Sequence, residues 1–160
     1  MGKKRGRPKR REEFVGATVE TAAKLQPDVV QSLVYGERIT GDEERKLMLI
    51  RRTYETLSRG MMPSGGVLNE RSKATGMQSD MFTHMSENER NNWQFIYKPW
   101  ANLASKIIVK TKPRLCGWSL AIKLAYENVS LADITAIYQL QEPALLYALS
   151  HSLSHLKLNV

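Results

Sequence analysis

The sequence has one cysteine, Cys116, among 160 residues. A single thiol cannot close an internal disulfide, and it cannot cage a metal alone, so a reducing compartment fits. No apolar run approaches the roughly 18 residues of a membrane span. The N-terminus has no apolar stretch of the kind that marks a secretory signal. A soluble, intracellular chain without a membrane partner is expected. Phosphate-cradling loops are missing too, because Gly65-Gly66 is not followed by Gly-Lys-Ser/Thr. No nucleophile has an evident base beside it. Asp42, Glu43 and Glu44 are consecutive, but at a helix start the helix dipole explains them better than metal-dependent nuclease chemistry. His151 and His155 stand four apart on a helix without an acidic or Cys ligand nearby, and His84 stands alone. The expectation is a protein that is not an enzyme and holds no cofactor and no metal.

What is present is a core and a charged arm. Hydrophobic residues make up 42% of the chain, enough to build a folded body. One domain with a tail is the simplest organisation, and two small modules are the alternative. The formal net charge is +8 and the pI is about 9.7. Residues 1–11 carry +7, so residues 12–160 carry 8 − 7 = +1. The body is nearly neutral, and the affinity for polyanions is concentrated in the arm.

Periodicity points to helices. Residues 1–13 are expected to be a flexible arm and 14–59 a helical region, with helix on both sides of Pro27 and a stop at Gly36. Thr40 and Glu43 make a capping box. The helix after it places Leu47, Ile50, Tyr54 and Leu57 on one stripe, puts Arg45, Lys46, Arg51 and Arg52 off it, and ends at Gly60. Residues 60–85 have no period and hold five of the seven Met (Met61, Met62, Met77, Met81, Met85), as a functional loop or a linker. Residues 86–160 form the C-terminal helical part. Ser86 and Glu89 repeat the capping box, and Trp93, Ile96, Trp100, Leu103 and Ile107 form a stripe with a kink or break at Pro99. "SKIIVK" is the only strand candidate, and it extends that helical stripe. Pro113 marks the next boundary. Three helices follow at Leu115–Glu127, Leu131–Tyr138 and Pro143–Leu156. The expected class is all-α.

"KRGRPKR", Lys4–Arg10, resembles the AT-hook, a short DNA-binding motif centred on Arg-Gly-Arg-Pro, and also the Gly-Arg-Pro arms of some recombinases and phage proteins. The physics of the minor groove supports that reading. Over A·T pairs the groove is narrow and its negative potential is enhanced, which attracts inserted arginine. Gly6 has no side chain to hold the backbone off the groove floor, and Pro8 lowers the entropy lost on ordering. Arg5 and Arg7 would enter the groove, while Lys3, Lys4, Lys9, Arg10 and Arg11 would meet phosphates. A localisation signal or a plain basic tail is the alternative.

Ser130–Leu153 resembles the helix-turn-helix of phage and transposon DNA-binding proteins. Ser130 caps its first helix, and Leu131, Ile134 and Ile137 are expected to face inward. Gln139–Glu142 make the turn over Leu140, and Pro143 opens the second helix. Leu145, Leu146, Leu149 and Leu153 pack back. With Leu115–Glu127 in support, residues 115–156 form a tri-helical unit. Two features depart from the pattern: Gln139 stands where such turns often have Gly, and Val129–Leu156 contains no Lys or Arg, only Asp133 and Glu142. The candidates to reach base edges are Gln141, Ala144, Tyr147, Ser150 and His151. Between Asn102 and Tyr126 there are no acids, and Lys106, Lys110, Lys112, Arg114 and Lys123 offer a second phosphate-holding cluster. A helix-turn-helix shape used only for packing or self-association stays open beside DNA reading.

In size and layout the chain resembles phage terminase small subunits, which are short, helical, oligomeric proteins that mark viral DNA for packaging. The resemblance implies double-stranded DNA, further copies of the chain and a large terminase subunit as partners, in the cytoplasm of a bacterial host cell. The Leu-rich end and the Trp stripe add an expectation of self-association. A transcriptional or nucleoid-organising regulator needs the same physics. A structural adaptor with a basic tail for localisation, nuclear in a eukaryotic source, is the third alternative.

Overall fold

A computed structural model describes residues 26–61 and 85–158. The basic arm, the run before Gln26 and the Met- and Gly-containing stretch 62–84 with His84 lie outside the described residues. Helix α1 (Val29–Tyr35) starts where the Asp28 carboxylate accepts the Val30 and Gln31 backbone N–H groups, at 2.9 and 3.4 Å. That satisfies donors a helix start would otherwise leave unpaired. The chain turns at Gly36 and at Glu37, which has φ 54°. Helix α2 (Gly41–Met61) follows with the expected capping box: the Thr40 N–H donates to the Glu43 carboxylate at 2.8 Å, and the Glu43 N–H donates to the Thr40 hydroxyl at 3.3 Å. Leu47, Ile50 and Leu57 are buried, and Tyr54 packs beside them. Gly60 does not end this helix. One glycine costs a helix about 1 kcal/mol, less than a long packed face supplies.

The next helical rod departs from a simple 3.6 period. Ser86 and Glu89 form the expected capping box, and α3 (Glu87–Asn91) runs into a π-helical segment, Asn92–Tyr97, and then α4 (Lys98–Ala104). The backbone N–H of Lys98 reaches back to the Trp93 carbonyl, five residues away. This wider turn precedes Pro99, whose ring would crowd the preceding turn of an α-helix. Of the kink or break expected at Pro99, the break does not occur: the rod continues through a π-helical segment into α4. The inserted residue also rotates the inner face: Tyr97, Trp100 and Ala104 are buried, Ile96 is only partly so, and Leu103 is 47% exposed. The helix ends before Ile107. "SKIIVK" does not extend it, because β1 (Ile108–Lys110) pairs antiparallel with β2 (Leu115–Cys116), with Ile108 opposite Cys116 and Lys110 opposite Leu115. Successive β-branched residues favour that extended form. Pro113, after a cis peptide bond, sits in the turn between the strands.

Three helices complete the all-α fold: α5 (Gly117–Ala125), α6 (Leu131–Tyr138) and α7 (Glu142–Ser154). Helix α5 begins two residues later than expected because Leu115 and Cys116 are strand. It packs on α1, α2, α4 and α7, so elements on both sides of residues 62–84 share one core. Trp100, Leu47, Leu120, Leu124, Leu145, Leu149 and Leu153 fill it. The tightest approach is at Gly117. A Cβ there would lie 2.0 Å from the Ser152 hydroxyl oxygen and 3.1 Å from the Ala104 carbonyl oxygen. Trp100 Nε1 donates to the Ser152 carbonyl at 2.9 Å beside it. Gly117→Ala is expected to cost about 1–3 kcal/mol through overpacking, read as a lower midpoint in a denaturant melt.

Arg51, off the apolar stripe of α2 as expected, turns toward α1 and the end of α5. Its guanidinium donates to both Asp28 carboxylate oxygens, at 2.6 and 3.0 Å, and its Nε donates to the Ala125 carbonyl at the end of α5. Asn128, at φ 55°, accepts the Val29 N–H at 2.8 Å and donates to the Pro27 carbonyl at 3.2 Å. These bonds fix α1 and α2 to the α5–α6 connection. The Arg51 hydrogen bonds hold the Asp28 carboxyl below its ordinary 3.8, with help from the Gln31 and Val30 backbone, against the effect of burial. On acidification the unfolded chain takes up that proton first. The clamp therefore stabilises fully above about pH 4 and weakens as pH falls through the depressed folded value. Arg51→Met should lower stability near neutral pH by about 2–3 kcal/mol. Its acid melts should lose the part of the pH dependence that the clamp supplies.

Candidate nucleic-acid interface

The segment Ser130–Leu153, expected to resemble a helix-turn-helix, folds as two helices joined through a left-handed residue, Gln139. The Asp133 N–H donates to the Ser130 hydroxyl at 3.1 Å, which caps α6. Leu131 and Ile134 are buried as expected, but Ile137 is 58% exposed. Tyr138 takes the inward place one residue later, at the last turn of α6. Gln139 has φ 52° and ψ 46°, the conformation for which glycine is commonest at this position. The side chain there carries strain that glycine would not. Leu140 packs partly against the core, and Pro143 lies in the first turn of α7, where its missing N–H costs little. Leu145, Leu149 and Leu153 are buried, with Leu146 partly so.

The structure brings part of the basic cluster to this turn. Lys110, on β1, donates its ammonium to the carbonyl of Tyr138. A cation at a helix C-terminus is favoured by the exposed carbonyls and the helix dipole. Lys112 and Arg114 lie exposed in the connection that follows, and Lys106 is exposed in the turn after α4. Lys123, in the last turn of α5, reaches Glu127 just beyond the helix end, at 3.3 Å, and so belongs to a local ion pair. Lys3, Lys4, Arg5, Gly6, Arg7, Pro8, Lys9, Arg10 and Arg11 lie outside the described residues.

One member of the site is absent from the sequence reading. Arg38, in the α1–α2 connection, makes an ion pair with Glu142 in the first turn of α7. The two residues are 104 positions apart, so no local spacing announces the contact. The pair offsets one of the two negative charges that the segment carries. The other acid, Asp133, accepts a hydrogen bond from the Ser130 hydroxyl at 2.7 Å.

The outward face of α7 and its start then presents Gln141, Ala144, Tyr147, Ser150 and His151, all exposed. Tyr147 is 76% exposed, and its ring stacks on His151 with centroids 6.3 Å apart and planes 8° apart. His155 meets His151 edge-on at 5.1 Å. Burial opposes ionisation of Glu43, but hydrogen bonds from Thr40 and Ser150 outweigh it and hold the carboxyl below its ordinary 4.5. Asp42 pairs with Lys46 at 2.9 Å, and Glu44 accepts from the Gln31 amide at 2.8 Å. The three consecutive carboxylates thus each have a structural partner. Among the described residues no group of three or more His, Cys, Asp or Glu could hold a metal, and no helix is long and apolar enough to cross a membrane. No protein-family model, curated protein or solved structure matches the chain.

Gln139→Gly should relieve the left-handed turn and raise stability by roughly 1 kcal/mol. A thermal melt that falls instead would show that the Gln139 side chain contributes more than its backbone strain costs.

Proposed function

We propose that this chain is a non-enzymatic double-stranded DNA-binding protein. In this reading the hairpin and the α6–α7 unit form one contact surface, and the N-terminal arm forms a second. The observation that carries it is the Lys110 ammonium seated on the last carbonyl of α6. It ties the strand leading into Lys112 and Arg114 to the turn before α7, so phosphate-seeking charge arises beside a helix that has none of its own. Gln141, Ala144 and Tyr147 would then approach base edges, with the polar tip of Tyr147 and the Gln141 amide as the hydrogen-bonding groups. Arg5 and Arg7 of the arm would follow an A·T-rich minor groove. Marking viral DNA for packaging, as a terminase small subunit in partnership with a large subunit, is the role that the size and layout favour.

The exposed Ile137 and Tyr147 favour a second reading, in which α6 and α7 pack against another protein surface. Salt titration separates the two. Replacing Lys112 and Arg114 by Ala should lower the slope of log affinity against log salt by about 2, near 0.9 for each lost phosphate contact. Deleting residues 1–11 should flatten the slope further, and Arg7→Ala should harm A·T-rich binding more than Lys3→Ala. Unchanged slopes in both the double variant and the truncated chain would leave the second reading.

A further inference from the structure

A cleft of about 430 Å³ lies where α2, the π-helical segment and α4 meet α5, away from the hairpin and the α6–α7 unit. That volume falls in the range of small-molecule sites, roughly 300–1,000 Å³. Tyr54, Leu57, Tyr97, Ala101 and Trp118 form its walls. The three aromatic rings are held before any ligand arrives, which lowers the cost of ordering them on binding. The Trp118 indole N–H donates to the Tyr97 hydroxyl at 3.0 Å, and its ring meets Tyr54 edge-to-face with centroids 6.2 Å apart. Tyr97 is buried and packs on Trp100 at 5.6 Å. Having accepted from Trp118, the Tyr97 hydroxyl keeps its own proton to donate, and burial holds it above its ordinary 10.0. The rim is polar. The Ser58 hydroxyl donates to the Tyr54 carbonyl and the Ser105 hydroxyl to the Asn102 carbonyl, so both offer a ligand acceptor oxygens. The exposed Asn102 amide offers a donor and an acceptor.

We infer that this cleft takes the base of an unpaired nucleotide, either free or in a single strand. Each part of that ligand has a counterpart. A flat ring suits aromatic walls, and stacking on them accepts any base. The donors and acceptors of a base edge meet Asn102, Tyr97 and the serine oxygens. The phosphate has cations beside the rim: Arg59 follows Ser58 and Lys106 follows Ser105, both exposed, while the lining itself holds no charge. Lys98, next to Tyr97, is engaged over the Trp93 ring at 5.3 Å. Glu55 is the one acid that directly neighbours a lining residue in sequence, so the surroundings favour an anion. An apolar side chain of a partner protein would use the walls but leave the amide and the cations without a role. A paired base is closed to the cleft, because reaching it means leaving the stack. The site stands apart from the duplex contact of the hairpin and α7 and does not rest on it.

The full chain is titrated with deoxyadenosine monophosphate, with a single-stranded tetranucleotide and with a blunt duplex. The Trp118 indole N–H is followed by NMR, its resonance assigned through Trp118→Phe. The mononucleotide should shift it saturably. A tetranucleotide that does so at lower concentration makes a strand the source, and equal concentrations make it the free nucleotide. The duplex should leave the resonance unmoved. Ala101→Leu, which fills the cleft, should weaken binding about tenfold, the effect of one lost stacked base. Ser105→Leu, at the rim, should do the same and takes its place if Ala101→Leu lowers the thermal melt. Arg59→Ala with Lys106→Ala should weaken binding and flatten its salt dependence. Lys112→Ala with Arg114→Ala should leave the Trp118 shift intact even where duplex affinity falls, which separates this site from the duplex surface. No shift with either unpaired probe overturns the proposal. So do a shift that both cleft-filling variants leave unchanged, and a duplex that moves the resonance as strongly as the single strand.

Discussion

Helices α4, α5 and α7 meet at Ser152, and they can do so only because residue 117 has no side chain. The Ser152 hydroxyl oxygen occupies the space in which a Cβ of Gly117 would stand, and the Ser152 carbonyl takes the Trp100 indole N–H. This contact sets how deeply α7 lies in the core. Leu145, Leu149 and Leu153 are then buried on one side, and Gln141, Ala144, Tyr147 and His151 are left on the other. The close approach leaves little room for adjustment, since a packed interior responds even to single methylenes. The Arg51 clamp completes the frame at the other end of α5, where Asp28, Ala125 and Asn128 tie the first helices to the α5–α6 connection. It fixes the point at which the chain from the arm enters the fold.

On this frame the charge around α6 and α7 comes from elsewhere in the sequence. Arg38 answers Glu142, and Lys110 sits at the end of α6. The segment that lacks any Lys or Arg of its own is therefore flanked by both. In DNA recognition, phosphate contacts position a protein and base contacts specify the sequence. On the proposed function, the arrangement would divide those tasks between the hairpin and α7. Tyr147 and Gln141 would then be readers with few polar atoms, so the proposal assigns the body modest sequence selectivity and the arm a substantial share of the affinity.

Much of the fold was legible because caps and stripes are local. Both capping boxes, the bounds of α6 and the inward Leu row of α7 follow from spacing within a few residues. The misread elements are those that tertiary contacts decide. The π-helical segment shifted the inner face from Ile96 to Tyr97, a one-residue change that a 3.6 period cannot reveal. Ile108–Lys110 became strand because Leu115 and Cys116 were near enough to pair. Arg51 stands off the stripe as its spacing says, and only the fold brings it the acceptors on Asp28 and Ala125. At the candidate site, Lys110 was legible as a basic residue but not as the partner of Tyr138. Arg38 carried no signal at all, because its partner lies more than a hundred residues away in sequence.

Hydrogen exchange of the full chain, with and without a saturating DNA duplex, tests the central claim most directly. It reads protection segment by segment. Contact through the hairpin and α7 predicts slowed exchange at residues 106–116 and 139–151, with little change along residues 87–104. Protection confined to residues 1–25, with the hairpin and α7 unchanged, would contradict it and leave the arm as the whole of the DNA contact.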